Sequence, residues 1–171
     1  MKNLIILLSL AFVSTAQCQI TDNIITPTEY NNIEINGIKL IDIKNTLGNQ
    51  NAIESLLGTA TNINIDMDGN SFDFNGFHIG FSAIISDGTY DSPILAGFRI
   101  LNNSSNITIR GITVTIGSNI SLLGNVVFGT SSINGEQFIS YMDCNGCNNF
   151  IMINFNQTTN IITAIYYIEM T

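Results

Sequence analysis

The pattern of polar and apolar positions falls into two similar halves, each with one short apolar stretch that contains a glycine able to end a helix. The first covers residues 52–61 and the second covers residues 122–132. Each follows a β-rich segment and precedes runs in which apolar and polar residues alternate. Grouped apolar positions predict two brief helices, and the alternation predicts strands behind each of them. The shared order indicates a duplicated unit.

The first predicted helix has signals at both ends. Asn51 is placed to accept hydrogen bonds from amides of the first turn, Glu54 stands in the capping-box position, and Gly58 provides the stop. A helix of two turns is unstable alone, so we expect its apolar face to pack on a sheet. The second helix is predicted from Ser118 or Asn119 to near Gly129.

Strands are predicted wherever apolar residues recur at every second position. Asp-Gly and Asn-Gly pairs between such runs predict tight hairpins, at Asn36-Gly37, Asp68-Gly69-Asn70 and Asn75-Gly76. The predicted strand regions are Ile33–Ile43, Ile63–Phe81, Ile94–Ile100, Ile107–Ile116, Phe138–Met142, Phe150–Phe155 and Ile161–Ile168.

Together these elements predict an α+β fold of two similar units, each a short helix packed on a small antiparallel sheet. The first unit spans residues 33–106 and the second spans residues 107–171, after a signal peptide at 1–18 and an N-terminal extension at 19–32 that is either mobile or laid across the surface. The alternative is an all-β sandwich in which both glycine-stopped stretches are strands.

The N-terminus has the layout of a secretory signal: Lys2, an apolar run from Leu4 to Val13, and small residues before Gln17. Cleavage after Ala16 or after Cys18 fits this layout. Export to the periplasm or the cell exterior is therefore expected. Acylation of Cys18, as in an outer-membrane lipoprotein, is the alternative and the one route to membrane association.

The number and distribution of charged residues limit the kinds of partner that this chain can bind. The chain has 171 residues with a formal net charge of -8, and only 11% of its residues are charged. Its five basic residues are scattered, whereas a nucleic-acid surface needs clustered lysine and arginine. We therefore expect no nucleic-acid partner and, by the same reasoning, no anionic lipid surface.

The order of a helix ending in Gly-Thr, at Gly58-Thr59 and again at Gly129-Thr130, followed by strands, resembles two families. One is the beta-lactamase inhibitory protein family, built of two helix-plus-three-strand units. The other is the small outer-membrane assembly lipoprotein family, which has one unit. The resemblance implies a non-enzymatic, protein-binding module of the bacterial envelope.

Candidate chemistry is sparse. Cys144 and Cys147 flank Asn-Gly in a predicted β-turn. In an exported chain this pair favours a structural disulfide over free thiols, a metal site or a redox dithiol. The redox alternative is disfavoured because a redox pair needs its first cysteine at the N-terminus of a helix. Asp66, Asp68 and Asn70 have the oxygen-rich look of a calcium loop. Their glycine and glutamate spacing does not fit an EF-hand, so a hairpin turn is favoured. No cofactor is expected.

Tyrosines offer the candidate binding residues, because a tyrosine on an open sheet face gives contact area at low entropy cost. These are Tyr141, Tyr166 and Tyr167, and the two adjacent ones must point to opposite faces of their strand. His78, the single histidine, lies on a predicted strand without a nucleophile motif nearby.

The resulting hypothesis is an exported, non-enzymatic binding protein that recognises a protein or an envelope component through an open sheet face. The alternatives are a secreted thiol-redox or hydrolytic enzyme and a structural or adhesive surface domain.

Overall fold

The computed structural model describes residues 23–83, 85–86, 89–90, 93–143 and 149–169. The helices are α1 (Pro27–Asn31), α2 (Leu40–Lys44), α3 (Gln50–Leu57) and a 3-10 helix (Ile120–Leu123). The strands are β1 (Glu34–Ile35), β2 (Ile38–Lys39), β3 (Asn62–Asp66), β4 (Gly69–Phe74), β5 (Phe77–Ser82), β6 (Ile85–Ser86), β7 (Thr89–Tyr90), β8 (Ile94–Ile100), β9 (Ile107–Ile109), β10 (Ile112–Val114), β11 (Phe128–Thr130), β12 (Gln137–Met142), β13 (Phe150–Asn156) and β14 (Ile161–Ile168).

An antiparallel eight-stranded sheet dominates the described chain, in the order β11-β12-β13-β14-β8-β5-β4-β3. Two meanders form it, β3-β4-β5-β8 from the first half of the chain and β11-β12-β13-β14 from the second. They meet where β14 pairs with β8, over the register Ile165↔Ile100 to Ile168↔Gly97. The last strands of the two halves therefore lie side by side at the centre of one continuous sheet.

A smaller sheet has the same symmetry. Its order is β10-β9-β1-β2, so the hairpin β1-β2 of the first half pairs with the hairpin β9-β10 of the second through β1 and β9. Both hairpins turn on a pair of left-handed residues, Asn36-Gly37 and Arg110-Gly111. The order is the one that a duplication would produce, and a common origin of the halves stays a prediction.

The main core lies between one face of the eight-stranded sheet and the layer formed by the helices and the small sheet. Alternating residues of β4, β5, β8, β12, β13 and β14 supply one side of it. The other side comes from buried side chains such as Tyr30 of α1, Ile43 of α2, Ile53 of α3 and Ile107 of β9. Period-two alternation in the strands explains why only one face of the large sheet is buried.

The predicted α+β fold of two separate helix-on-sheet units is wrong, because the described chain is mostly β. α3 is the one helix in it longer than seven residues, and the strands of both halves belong to one shared sheet. The sandwich alternative is wrong about the first glycine-stopped stretch, which contains most of α3, and only partly right about the second, which contains the end of the 3-10 helix and then β11.

The structure confirms some of the predicted element boundaries and corrects others. α3 exists, but Asn49 rather than Asn51 accepts the capping hydrogen bond, from the Ala52 amide at 3.1 Å. The second predicted helix is a 3-10 turn that ends after Leu123 rather than near Gly129, because Gly124 has a left-handed conformation with φ of 72°. The strand predicted up to Ile43 gives way to α2, whose Leu40 and Ile43 share one buried helical face.

The segment predicted as a surface extension contains α1. A capping box between Thr26 and Glu29 starts this helix, and Pro27 occupies its first turn. Tyr30 is 1% exposed and stands 6.1 Å from the ring of Tyr167. Residues 23–32 are therefore part of the folded unit.

Candidate functional site: the open face of the large sheet

The second face of the eight-stranded sheet, which we call the open face, carries half-buried and exposed side chains. Cross-strand partners form one row across it, from β12 to β3: Ser140, Met152, Tyr166, Arg99, His78, Asp73 and Asn62. Along each strand, the residues before and after a member of this row point to the opposite face of the sheet, and those that are buried belong to the core. Apolar side chains surround the row at its β12-β13 end, whereas the row is polar at its β3-β4 end.

An apolar groove lies at the first of these ends. It has a volume of about 580 Å³ and is lined by Asn23, Ile24, Val127, Phe128, Gly129, Phe138, Ser140, Met142, Phe150 and Met152. None of these side chains is charged. Pockets of roughly 300–1,000 Å³ with apolar walls and few polar groups are typical of small-molecule sites. The flexible side chains of Met142 and Met152 can also adapt their shape to different ligands.

Two contacts shape the groove. Gly129 lies opposite Phe138, and a Cβ on this glycine would stand 2.6 Å from the tip of the Phe138 ring, so the ring lies directly over the glycine and would have to shift for any larger residue. At the edge, the side-chain amide of Asn23 donates to the Val127 carbonyl at 2.7 Å and accepts from the Val127 amide at 3.0 Å. The start of the described chain is thereby tied to the strand edge beside the groove.

The polar end of the row is organised around a carboxylate. Asp73 accepts a hydrogen bond from the Asn62 side chain at 3.0 Å and stands 2.6 Å from Nδ1 of His78. The bond from Asn62, and then the one from His78, lowers the pKa of Asp73. No hydroxyl or thiol of the described residues is hydrogen-bonded to this imidazole, so the pair lacks the nucleophile of a hydrolytic triad.

This arrangement predicts a small acid sensitivity. Because the pKa of Asp73 is lower in the folded chain than in the unfolded one, its stabilisation is complete above about pH 5 and is lost as the pH falls through the folded-state value. We expect Asp73→Asn to lose less stability than wild type between about pH 5 and pH 2.5, in urea unfolding at each pH. The difference should stay below about 1 kcal/mol, since the Asp73 and His78 side chains are 40% and 41% exposed.

The control for this experiment is Asp42→Asn, at an exposed carboxylate on α2 that makes no hydrogen bond within the described chain. Identical pH profiles for wild type and Asp73→Asn would contradict the prediction.

Between the two ends of the row, Arg99 and Tyr166 face each other. The Arg99 guanidinium carbon stands 5.2 Å from the centre of the Tyr166 ring, within the range of a cation–π interaction. Arg99 makes no ion pair with any described carboxylate. By contrast, Lys44 pairs with Glu169 at 2.9 Å and Arg110 pairs with Glu29 at 3.1 Å. Arg99 is thus an exposed positive charge at the middle of the open face.

The predicted binding tyrosines are divided by the fold. Tyr166 lies on the open face, whereas Tyr141 and Tyr167 are 4% and 2% exposed and belong to the core. Burial raises the pKa of both core tyrosines, and the Tyr167 hydroxyl donates to Glu169. A binding role for Tyr166 stays a prediction, while Tyr141 and Tyr167 are not accessible from the open face.

The weak calcium candidate is not assembled. Asp66 uses its carboxylate to accept hydrogen bonds from the amides of Asp68 and Gly69 at the β3-β4 turn. Asn70 points to the opposite face, where it donates to the Gly48 carbonyl at 3.0 Å. Within the described ranges there is no group of three or more histidine, cysteine, aspartate or glutamate residues that could hold a metal ion.

Cys18, Cys144 and Cys147 lie outside the described residues, so their predicted states stay predictions.

Several residues of this face were missed from the sequence: Asp73, Arg99, Phe138, Phe150 and Met152. One signal for the first was present, since a two-residue turn at Asn75-Gly76 sets Asp73 opposite His78. No local signal places Arg99 beside Tyr166, because their strands are far apart in sequence.

We found no match to this chain among protein-family models, curated proteins or solved structures. The resemblance to helix-plus-three-strand families therefore stays a prediction. Within the described residues, no helix has the length and apolar character needed to cross a membrane.

Proposed function

We propose that this chain is an exported, non-enzymatic binding protein that recognises an apolar envelope component through the open face of its eight-stranded sheet. The observation that carries the proposal is the groove of about 580 Å³ on that face. Folding normally buries large apolar side chains, so a face with Phe138, Phe150, Met142 and Met152 around a concave space is typical of a binding site.

Two further features support a binding role. The Asp73-His78 pair has no bonded nucleophile among the described residues, which disfavours the hydrolytic alternative. Seven of the ten groove residues lie on the paired strands β11, β12 and β13, and sites built on such elements are more rigid than sites on loops. Export rests on the predicted signal at residues 1–18.

The proposal is tested with N-phenyl-1-naphthylamine, an uncharged probe whose fluorescence rises in apolar surroundings. Wild type should bind it saturably. Ser140→Phe should weaken that binding at least tenfold, because the new ring would fill the groove between Phe138 and Met142 without disturbing the core face of β12.

The matched control is Ser71→Phe, the same change at a half-buried serine on the same face but at the polar end. It should bind the probe like wild type, and far-ultraviolet circular dichroism should show both variants folded. Equal binding by the two variants, or no saturable binding by wild type, would overturn the proposal.

A further inference from the structure

A continuous path joins the apolar groove to the positive charge at the middle of the open face. Met152 forms the inner wall of the groove, and its cross-strand partner is Tyr166. The partner of Tyr166 on the next strand is Arg99. Neighbouring strands lie about 4.8 Å apart, so the Arg99 backbone is roughly 10 Å from Met152. The groove, Tyr166 and Arg99 together form one surface with an apolar end and a cationic end.

The charges on this surface favour a negatively charged group at Arg99. Its guanidinium is held over the Tyr166 ring and has no carboxylate partner among the described residues. The nearest acidic member of the row is Asp73, two strands away, whose carboxylate is already bonded to Asn62 and His78. Arginine binds a carboxylate through two parallel hydrogen bonds, so its free donors are suited to such a head group.

The dimensions favour a single hydrocarbon chain attached to that head group. From β11 to β8 there are four strand steps, about 19 Å in all. One leaflet of a bilayer, which is one acyl chain deep, has a hydrocarbon thickness of about 15 Å, half of the core. A tail of that length covers the three steps of about 14 Å from β11 to Tyr166 on β14, and the head group covers the last step to Arg99 on β8.

We propose that the ligand is a long-chain fatty acid, whose hydrocarbon tail lies in the groove and whose carboxylate binds Arg99. This inference rests on the proposed function and adds to it the class of ligand. Its uncharged tail meets uncharged lining residues, and its one charge meets the one guanidinium on the described part of the open face.

The test compares myristate with its methyl ester at pH 8, each displacing the fluorescent probe N-phenyl-1-naphthylamine from the full chain. The two ligands have the same tail and differ in head-group charge. Wild type should bind myristate about tenfold more tightly than the ester. Arg99→Gln should lose that tenfold preference and bind the ester as wild type does, and Arg99→Lys should keep part of the preference.

Lys39→Gln is the matched control, because Lys39 is an exposed cation on the small sheet. It removes the same net charge and should leave the affinity for myristate unchanged. An Arg99→Gln chain that keeps the preference for myristate would overturn the inference, as would equal affinity of wild type for acid and ester. Either result leaves probe binding and its loss in Ser140→Phe intact, so failure of the inference and failure of the proposed function are distinguishable.

Discussion

Gly97→Ala is expected to lower the free energy of unfolding by about 3 kcal/mol, the size of effect seen when an extra carbon is forced into a closely packed interior. A Cβ at this position would stand 2.5 Å from the backbone carbonyl oxygen of Tyr167. Gly97 lies on β8 opposite Ile168 of β14, at the junction between the two halves of the large sheet. Because the obstacle is backbone, the two central strands must separate to admit the methyl group.

Gly80→Ala is the matched control. Gly80 is the cross-strand partner of Gly97 on β5, and a Cβ there would meet no atom within 4 Å. We expect its free energy of unfolding to stay within about 0.5 kcal/mol of wild type. Urea denaturation of the three chains measures both effects. A similar loss of stability in both variants would contradict the prediction, because the close contact between β8 and β14 at Gly97 would then not be its cause.

Ile53→Ala is expected to cost about 3 kcal/mol, within the range for buried isoleucine truncated to alanine. Ile53 is 0% exposed and is the one buried residue of α3. A helix of eight residues is too short to be stable without tertiary contacts, so this side chain is the main link between α3 and the core. Its loss should therefore loosen the helix as well as leave a cavity.

Leu56→Ala on the same helix provides the comparison. Leu56 is half-buried and does not belong to the core cluster, so we expect a loss below about 1 kcal/mol. Hydrogen exchange of the α3 amides should accelerate in Ile53→Ala far more than in Leu56→Ala. If both variants unfolded at the same urea concentration, the anchoring role of Ile53 would be wrong.

Short-range features were predictable because they depend on neighbouring residues. Asn-Gly at 36–37 and at 75–76 demanded tight turns, and both lie at hairpins. The strand Ile161–Ile168 has the predicted bounds. In α3 the glycine stop was right and the cap was two residues off, since Asn49 and Asn51 have the same side chain and only the contacts distinguish them.

The sequence predicted that the candidate site is an open sheet face, but not which residues of the sheet form it. An open sheet face with one of Tyr166 and Tyr167 outside the core follows from alternation along a strand. Which tyrosine faces outward depended on the pairing of β14 with β13 and β8, which buries Tyr167 beside Phe98. The groove includes the contact of Gly129 on one strand with the Phe138 ring on another, which the pattern within either strand does not contain.

Local pattern by itself thus specified most strands of the large sheet, the tight turns between them and the similar order of elements in the two halves, but not β11 or α2. Only the tertiary structure decided that both halves share one sheet, that the second apolar stretch forms a 3-10 turn and an edge strand, and that a groove and Arg99 lie on the same face. The reason is physical: turn geometry and side-chain alternation act between neighbours in sequence. The pairing of β8 with β14 and of β1 with β9 is set by burial between segments distant in the chain.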